Sequence, residues 1–193
     1  MKLIVNEIFY SLQGEGGRMG EASVFIRLTK CNLDCDFCDT DFRDGKEISL
    51  EEIAETIGIY PCKWIIWTGG EPTLQLTDEH LAFFRSLGYK QAIETNGTRA
   101  VPSLIDYITC SPKQRYEDVK SKIPFAHEIR IPVREGDILP DISILPQADN
   151  YFLSPVFDGD KLNAGNVNYC VEQVLKDPRW KLSLQMHKLI HIE

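Results

Sequence analysis

The sequence predicts an α/β fold, an open parallel sheet or an incomplete (β/α) barrel with about six parallel strands, and three observations carry that expectation. Short apolar runs rich in β-branched and aromatic residues recur along the chain, helical patterns lie between several of them, and 193 residues are too few for eight ordinary β/α units. The strands are expected at residues 24–28, 63–67, 91–94, 107–109, 128–133 and 151–153. The helices between them carry their own end signals. Ser49 stands three residues before Glu52, the arrangement of a capping box that opens a helix. A second helix runs from Thr77 or Asp78 to Ser86 and stops at Gly88, and a third, over 166–176, ends before Pro178. The polar stretch 115–124 reads as a mobile loop. In such a fold the loops at the carboxyl ends of the strands are where chemistry is placed.

A chain of 22.0 kDa with 43% hydrophobic residues can bury one core, so a single domain over residues 1–193 is expected. The 21 basic against 29 acidic residues give a net charge of −8, which disfavours nucleic acid and anionic membranes as partners and favours a small molecule or a protein. The longest apolar stretches, such as 64–67 and 129–133, fall far short of the roughly 20 residues that cross a bilayer. The segment from Met1 turns acidic at Glu7 before a signal-peptide apolar region could form. A soluble, cytoplasmic protein is the expectation.

Cysteine usage points to metal or redox chemistry. Of six cysteines, Cys62, Cys110 and Cys170 are scattered singly, while Cys31, Cys35 and Cys38 crowd into eight residues. Three soft thiolates can hold three corners of a four-iron cluster and leave one iron open to another ligand. A structural zinc takes four protein ligands, and Cys62, the nearest fourth candidate, lacks a CxxC partner, so zinc is the weaker of two readings. A second segment, Thr68-Gly69-Gly70-Glu71-Pro72, directly follows the expected strand at 63–67. Adjacent glycines let main-chain amides and carbonyls approach a ligand, and Pro72 stiffens the exit; an ordinary strand-to-helix turn is the plain alternative.

The CxxxCxxC triplet with an aromatic residue before its third cysteine, followed by Gly-Gly-Glu-Pro after a later strand, resembles the radical S-adenosylmethionine (radical SAM) superfamily. The resemblance implies a modified, incomplete (β/α) barrel. It also implies a [4Fe–4S] cluster on Cys31, Cys35 and Cys38, with S-adenosylmethionine on the open iron as the source of a 5′-deoxyadenosyl radical. It assigns Phe37, Cys38 and Asp39 to the cofactor site, Phe37 near the adenine, and Gly69, Gly70 and Glu71 to the methionyl end. Glu94, Asn96, Ser111, Pro112, Lys113, Leu153, Ser154 and Pro155 complete that site by the same resemblance.

The amino-terminal Glu7-Ile8-Phe9-Tyr10-Ser11-Leu12-Gln13-Gly14-Glu15-Gly16, then Phe25-Ile26-Arg27-Leu28 and Asp39-Thr40, is similar to one family within it, the 7-carboxy-7-deazaguanine synthases. The similarity continues through Glu94-Thr95-Asn96-Gly97-Thr98, Ser111-Pro112-Lys113, Leu153-Ser154-Pro155 and Leu184-Gln185-Met186-His187-Lys188, so it spans nearly the whole chain. It implies ring contraction of 6-carboxy-5,6,7,8-tetrahydropterin with loss of ammonia, on the route to queuosine and related deazapurines. It further implies a magnesium ion on Thr40, an electron donor such as flavodoxin or ferredoxin, and a homodimer.

A flat heterocycle bearing a carboxylate needs fixed polar groups and a cation. Leu12, Gln13, Gly14, Glu15, Arg27, Thr68, Gln185, His187 and Glu193 are the residues the resemblance assigns to it. Read without the resemblance, residues 13–16 are a surface turn, Arg27 a solvent-facing strand position, Thr40 a cap, Lys113 a snorkelling surface lysine and His187 a packed structural residue. The family tail typically ends in proline; this chain ends His191-Ile192-Glu193, which separates Glu193 from the family pattern. Two other functions compete: another radical enzyme such as a glycyl-radical activase, and a metal-stabilised binding module without catalysis. Neither a nucleic acid nor a membrane enters any of these readings.

Overall fold

In the computed structural model, which describes residues 1–36, 38 and 44–192, the chain divides into two compact units. The first comprises Met1–Ser11, Ala22–Thr95 and Ala100–Ile108; the second comprises Leu12–Glu21, Asn96–Arg99 and Thr109–Glu193.

The first unit carries β1 (Lys2–Leu12), β2 (Ala22–Leu28), β3 (Lys46–Ser49), β4 (Trp64–Gly69) and β5 (Lys90–Thr95), in the order β3-β1-β2-β4-β5. β2, β4 and β5 are parallel, with Arg27 opposite Thr68 and Leu28 opposite Gly69, while β3 pairs antiparallel with β1. Both faces of the parallel strands are apolar, as a covered parallel sheet requires. Val24, Ile26, Leu28, Ile65, Trp67 and Ile93 point to one face and pack under two helices. These are α1 (Leu50–Ile57), through Leu50, Ile53 and Ile57, and α2 (Asp78–Ser86), through Leu81 and Phe84. Phe9, Phe25, Ile66 and Ala92 form a second apolar cluster, with the Phe9 and Phe25 rings stacked at 4.8 Å.

The capping box at α1 is present: Ser49 Oγ accepts from Glu52 N–H at 3.2 Å, and Glu52 Oε2 accepts from Ser49 N–H at 2.9 Å. The Ser49 hydroxyl also donates to Glu52 Oε2 at 2.7 Å, and that bond first, then the one from Ser49 N–H, holds the Glu52 carboxyl below its ordinary range.

The second unit carries β6 (Tyr107–Cys110, which begins in the first unit), β7 (Phe125–Val133), β8 (Gln147–Pro155) and β9 (Trp180–Leu182), in that order and parallel throughout. α4 (Ala164–Lys176), N-capped by Asn163, packs on β8 and β9 and buries Cys170. A short α5 (Met186–Ile190) follows.

All six expected strands form, and the three expected helices lie where their end signals put them, the third starting two residues before position 166. The stretch 115–124 is not wholly a loop: it contains the helix α3 (Tyr116–Lys122), anchored by fully buried Val119. Glu117 and Asp118 sit in its first turn and Lys120 and Lys122 in its last, the charge order that suits the helix dipole. Among the described residues no helix is long and apolar enough to cross a membrane.

One polar side chain crosses the first core. Gln91 is fully buried; its Oε1 accepts from Trp67 Nε1–H at 3.1 Å and its Nε2 donates to the Leu81 carbonyl at 2.8 Å. Gln91→Leu would leave both partners unsatisfied and should lower stability by about 1–3 kcal/mol, read as a shifted urea midpoint at unchanged slope.

Candidate functional site

Parallel pairing of β2 and β4 brings their carboxyl ends side by side, and the two expected cofactor loops start there. The chain leaves β2 through Lys30, whose φ of 69° is unusual for a residue with a side chain, and enters Cys31. It leaves β4 through Gly69, whose φ of 113° only glycine adopts readily. Gly70 N–H then donates to the Leu28 carbonyl at 3.0 Å and Glu71 N–H to the Lys30 carbonyl at 2.8 Å. A Cβ on Gly70 would overlap the Lys30 carbonyl oxygen, so the second glycine is required by the approach of main chain to main chain. Gln75 secures the same exit, donating from Nε2 to the Thr29 carbonyl at 2.9 Å and accepting from Ile4 N–H at 2.8 Å.

Of the three loop cysteines, Cys31 and Cys35 are half-buried and Cys38 is exposed; Cys38 N–H donates to the Cys35 carbonyl at 3.1 Å, closing a turn. The described cysteines form no disulfide. Among the described residues no three His, Cys, Asp or Glu side chains are gathered around a single metal position.

The donor chemistry nevertheless fits an iron–sulfur cluster, because the other cysteines are committed elsewhere. Cys110 and Cys170 are fully buried, and burial, followed by the Asp137 charge, pushes the Cys170 thiol up to about 12. Cys62 donates its S–H to the Ala22 carbonyl at 2.9 Å. The triplet is the set of accessible soft ligands that remains among the six.

Glu71 is fully buried, and its Oε1 accepts from Thr73 N–H, from the Thr73 hydroxyl at 2.6 Å and from the Thr95 hydroxyl at 2.8 Å. Its carboxylate therefore binds the turn to the end of β5, and the main chain of residues 69–71 is what the turn offers a ligand. Arg27 and Thr68 are cross-strand neighbours. The Arg27 Nε donates to Glu7 Oε2 at 3.1 Å, and its guanidinium lies 5.4 Å from the centre of the Phe9 ring. Glu94 is half-buried on β5.

The second unit assembles another part of the expected set. Gln13 is closed into a turn by Gln13 N–H to the Glu21 carbonyl and Gly20 N–H to the Gln13 carbonyl, both 2.8 Å. The Gly14 carbonyl accepts from Met186 N–H at 2.9 Å, and a Cβ on Gly14 would overlap the His187 ring. Gln13 and Gly14 thus belong to one neighbourhood with Gln185 and His187, far along the chain, with Leu12 leading into it and Glu15 leaving it.

At the ends of β6 and β8, Lys113 donates to Ser111 Oγ at 2.9 Å, Ser111 donates to the Arg130 carbonyl at 2.9 Å, and Ser154 is buried between Leu153 and Pro155. Pro112 lies between Ser111 and Lys113, and Asn96 Oδ1 accepts from Thr98 N–H at 3.0 Å. Phe37, Asp39, Thr40 and Glu193 lie outside the described residues.

Sequence reasoning missed the groups that hold residues 14–17. Glu128, Arg130, Thr109 and Ser183 are all buried there. A signal existed: Glu128 and Arg130 alternate with Ile129 and Ile131 in a run otherwise apolar enough to be an interior strand.

A model of the radical SAM superfamily matches residues 25–120, from within β2 into α3. The 7-carboxy-7-deazaguanine synthase of Bacteroides thetaiotaomicron is 43% identical over 188 residues, covering 97% of this chain and 97% of that protein. That of Haemophilus influenzae is 46% identical over 200 residues, covering 97% and 92%. The crystal structure of QueE from Escherichia coli superposes with a TM-score of 0.77 at 26% identity, covering 97% of this chain and 95% of that one.

Two measurements probe the loop. At pH 8 a thiol held near the Cys170 value is ionised only on the order of one part in ten thousand, so alkylation of the native metal-free protein should label Cys31, Cys35 and Cys38 and spare Cys170 and Cys110 by peptide mass mapping. Gly70→Ala should part the two loops and cut iron retained after reconstitution by at least about tenfold, because the clash is with main chain that cannot rotate away; wild-type iron content would contradict the packing described.

Proposed function

We infer, from the fact that this chain belongs to the 7-carboxy-7-deazaguanine synthase family of radical SAM enzymes, that it converts 6-carboxy-5,6,7,8-tetrahydropterin to 7-carboxy-7-deazaguanine with release of ammonia. It is then a carbon–nitrogen lyase of queuosine or related deazapurine synthesis. The observation that carries the reading is the junction of the cysteine loop with the Gly69-Gly70-Glu71 turn, built by main-chain bonds at the ends of two parallel strands.

Cys31, Cys35 and Cys38 would hold three irons of a [4Fe–4S] cluster, leaving the fourth for S-adenosylmethionine. When bound, this pair supplies hydrogen abstraction at C6 of the pterin and the hydrogen's later return. The rest of the work belongs to the protein. Main-chain groups of residues 69–71 would receive the methionyl end, with Phe37, Asp39, Glu94, Asn96, Ser111, Pro112, Lys113 and residues 153–155 bordering the cofactor. Arg27 would take the substrate carboxylate in exchange for Glu7, a forked pairing that a guanidinium suits. Thr68, its cross-strand neighbour, would face the same ligand. Gln13, Glu15, Gln185 and His187, with the main chain at Leu12 and Gly14, would present fixed donors and acceptors to the heterocycle's edge. Thr40, with substrate oxygens and water, would complete a magnesium site, since that ion prefers hard oxygen ligands. Excluding water and holding C6 against the reacting carbon are the contributions asked of the fold.

Residues 1–193 act as one catalytic domain in this reading. Family resemblance supports a homodimer and a flavodoxin or ferredoxin as electron donor, and cysteines without disulfides support a cytoplasmic setting.

The test is turnover of synthetic carboxypterin by the anaerobically reconstituted, reduced protein. Product formation is expected. S-adenosylmethionine cleavage without it would indicate another radical enzyme, and a stable cluster without cleavage would indicate a binding module. Cys35→Ala should abolish both the cluster's visible absorption and S-adenosylmethionine cleavage; either one surviving would remove Cys35 from the ligand set.

A further inference from the structure

Two oppositely charged side chains are buried on one face of β7. Glu128 and Arg130 are 1% and 5% exposed, and their spacing of two residues turns both to the same side of the strand. Charges so placed demand compensation from neighbours. Glu128 Oε2 accepts from Gly17 N–H at 2.7 Å, and its Oε1 accepts from the Thr109 hydroxyl at 3.0 Å and lies 3.2 Å from Arg130 Nε. Arg130 Nη1 in turn donates to Glu15 Oε2 at 2.7 Å.

What this pair holds is the segment that carries Gln13, Gly14 and Glu15. Gly16 has a φ of 70°, and a Cβ there would overlap the Glu128 carboxylate, so the carboxylate is packed directly against the turn. Gly16 N–H donates to Ser183 Oγ at 2.9 Å, adding a second anchor. The consequence reaches Gln13. Glu15 N–H donates to Gln13 Oε1 at 3.2 Å, which sets the sense of that amide: the oxygen is directed to the main chain and the NH2 group is the end presented as donor. Glu15 is in turn fixed by Arg130, and Arg130 by Glu128.

We propose that Glu128 and Arg130 are positioning residues that, through Glu15, lock the orientation of the Gln13 amide and so set how tightly this protein holds the hydrogen-bonding edge of a pterin-like heterocycle. The proposal rests on the reading of residues 12–15 as substrate-binding. It assigns the buried pair no contact with the substrate and no part in forming the radical. An arginine is required for the task because its planar fork can address Glu15 and Glu128 from one side chain, whereas a lysine keeps the charge and reaches one carboxylate at a time.

The experiment uses the reconstituted holoenzyme and compares wild type with R130M, R130K and E128Q. For each, three quantities are read: cluster content, S-adenosylmethionine cleavage in the absence of pterin, and kcat and KM for carboxypterin. R130M should retain wild-type cluster content and basal cleavage while the KM rises by at least about tenfold with kcat changed less than about threefold; R130K should recover most of the affinity.

E128Q removes one negative charge and turns an NH2 group toward donors, and it should raise the KM in the same way. It carries the test if R130M yields no folded protein. A folded variant with unchanged KM overturns the proposal. So does a parallel loss of cluster, basal cleavage and kcat that R130K fails to relieve, which is the signature of a general structural role. Failure of wild type itself to turn over carboxypterin would sink the substrate assignment instead, and the two failures are told apart by that one control.

Discussion

Two backbone hydrogen bonds, from Gly70 and Glu71 to the carbonyls of Leu28 and Lys30, set the geometry on which the rest of the first unit's chemistry depends. They exist because β2 and β4 run parallel in a register that ends both strands at the same level, Leu28 opposite Gly69. They also require that no side chain stand between the two chains, a condition met by Gly70, and that the chain turn sharply at Gly69. The start of the cysteine loop, at Lys30 and Cys31, is therefore anchored to the glycine turn through main chain. Glu71 extends the same logic: a buried carboxylate accepting from Thr73 and Thr95 ties the glycine turn to the end of a third strand.

The second unit solves a similar problem with the opposite material. Residues 14–17 lie in a loop and are held by a carboxylate, a guanidinium and a serine hydroxyl reaching from β7 and from the segment before α5. Buried charge is an expensive way to place a loop, but it is directional: each bond fixes an angle as well as a distance, which apolar packing does not. The two loops thus differ in what breaks them. The first is sensitive to added volume at a glycine, the second to the loss of one charge.

The parts of the fold visible in the sequence were those with a local cause. β2, β4, β5, β6, β7 and β8 read as strands because each is a short apolar run, and α1, α2 and α4 carried their caps within a few residues. β1 escaped because Asn6 and Glu7 interrupt its alternation, although Leu3, Val5 and Phe9 are buried. β3 and β9, of four and three residues, hold too little pattern to register. α3 presents a single fully buried anchor among charged residues, so its pattern resembled a loop until Val119 found a core.

The sequence by itself determined which atoms are available for chemistry: three closely spaced thiols, a double-glycine turn after a strand, and an ordered set of motifs spanning the chain. Soft-ligand identity and turn chemistry are properties of residues a few positions apart, so they survive in a linear reading. Only the tertiary structure decided that Cys110 and Cys170 are core residues and that Glu71 turns its carboxylate inward. It also decided that Glu128 reaches Gly17 and Arg130 reaches Glu15, across separations of 111 and 115 positions. Burial and long-range pairing arise when the chain closes on itself, and no local period or motif encodes which distant main-chain group a buried charge will meet.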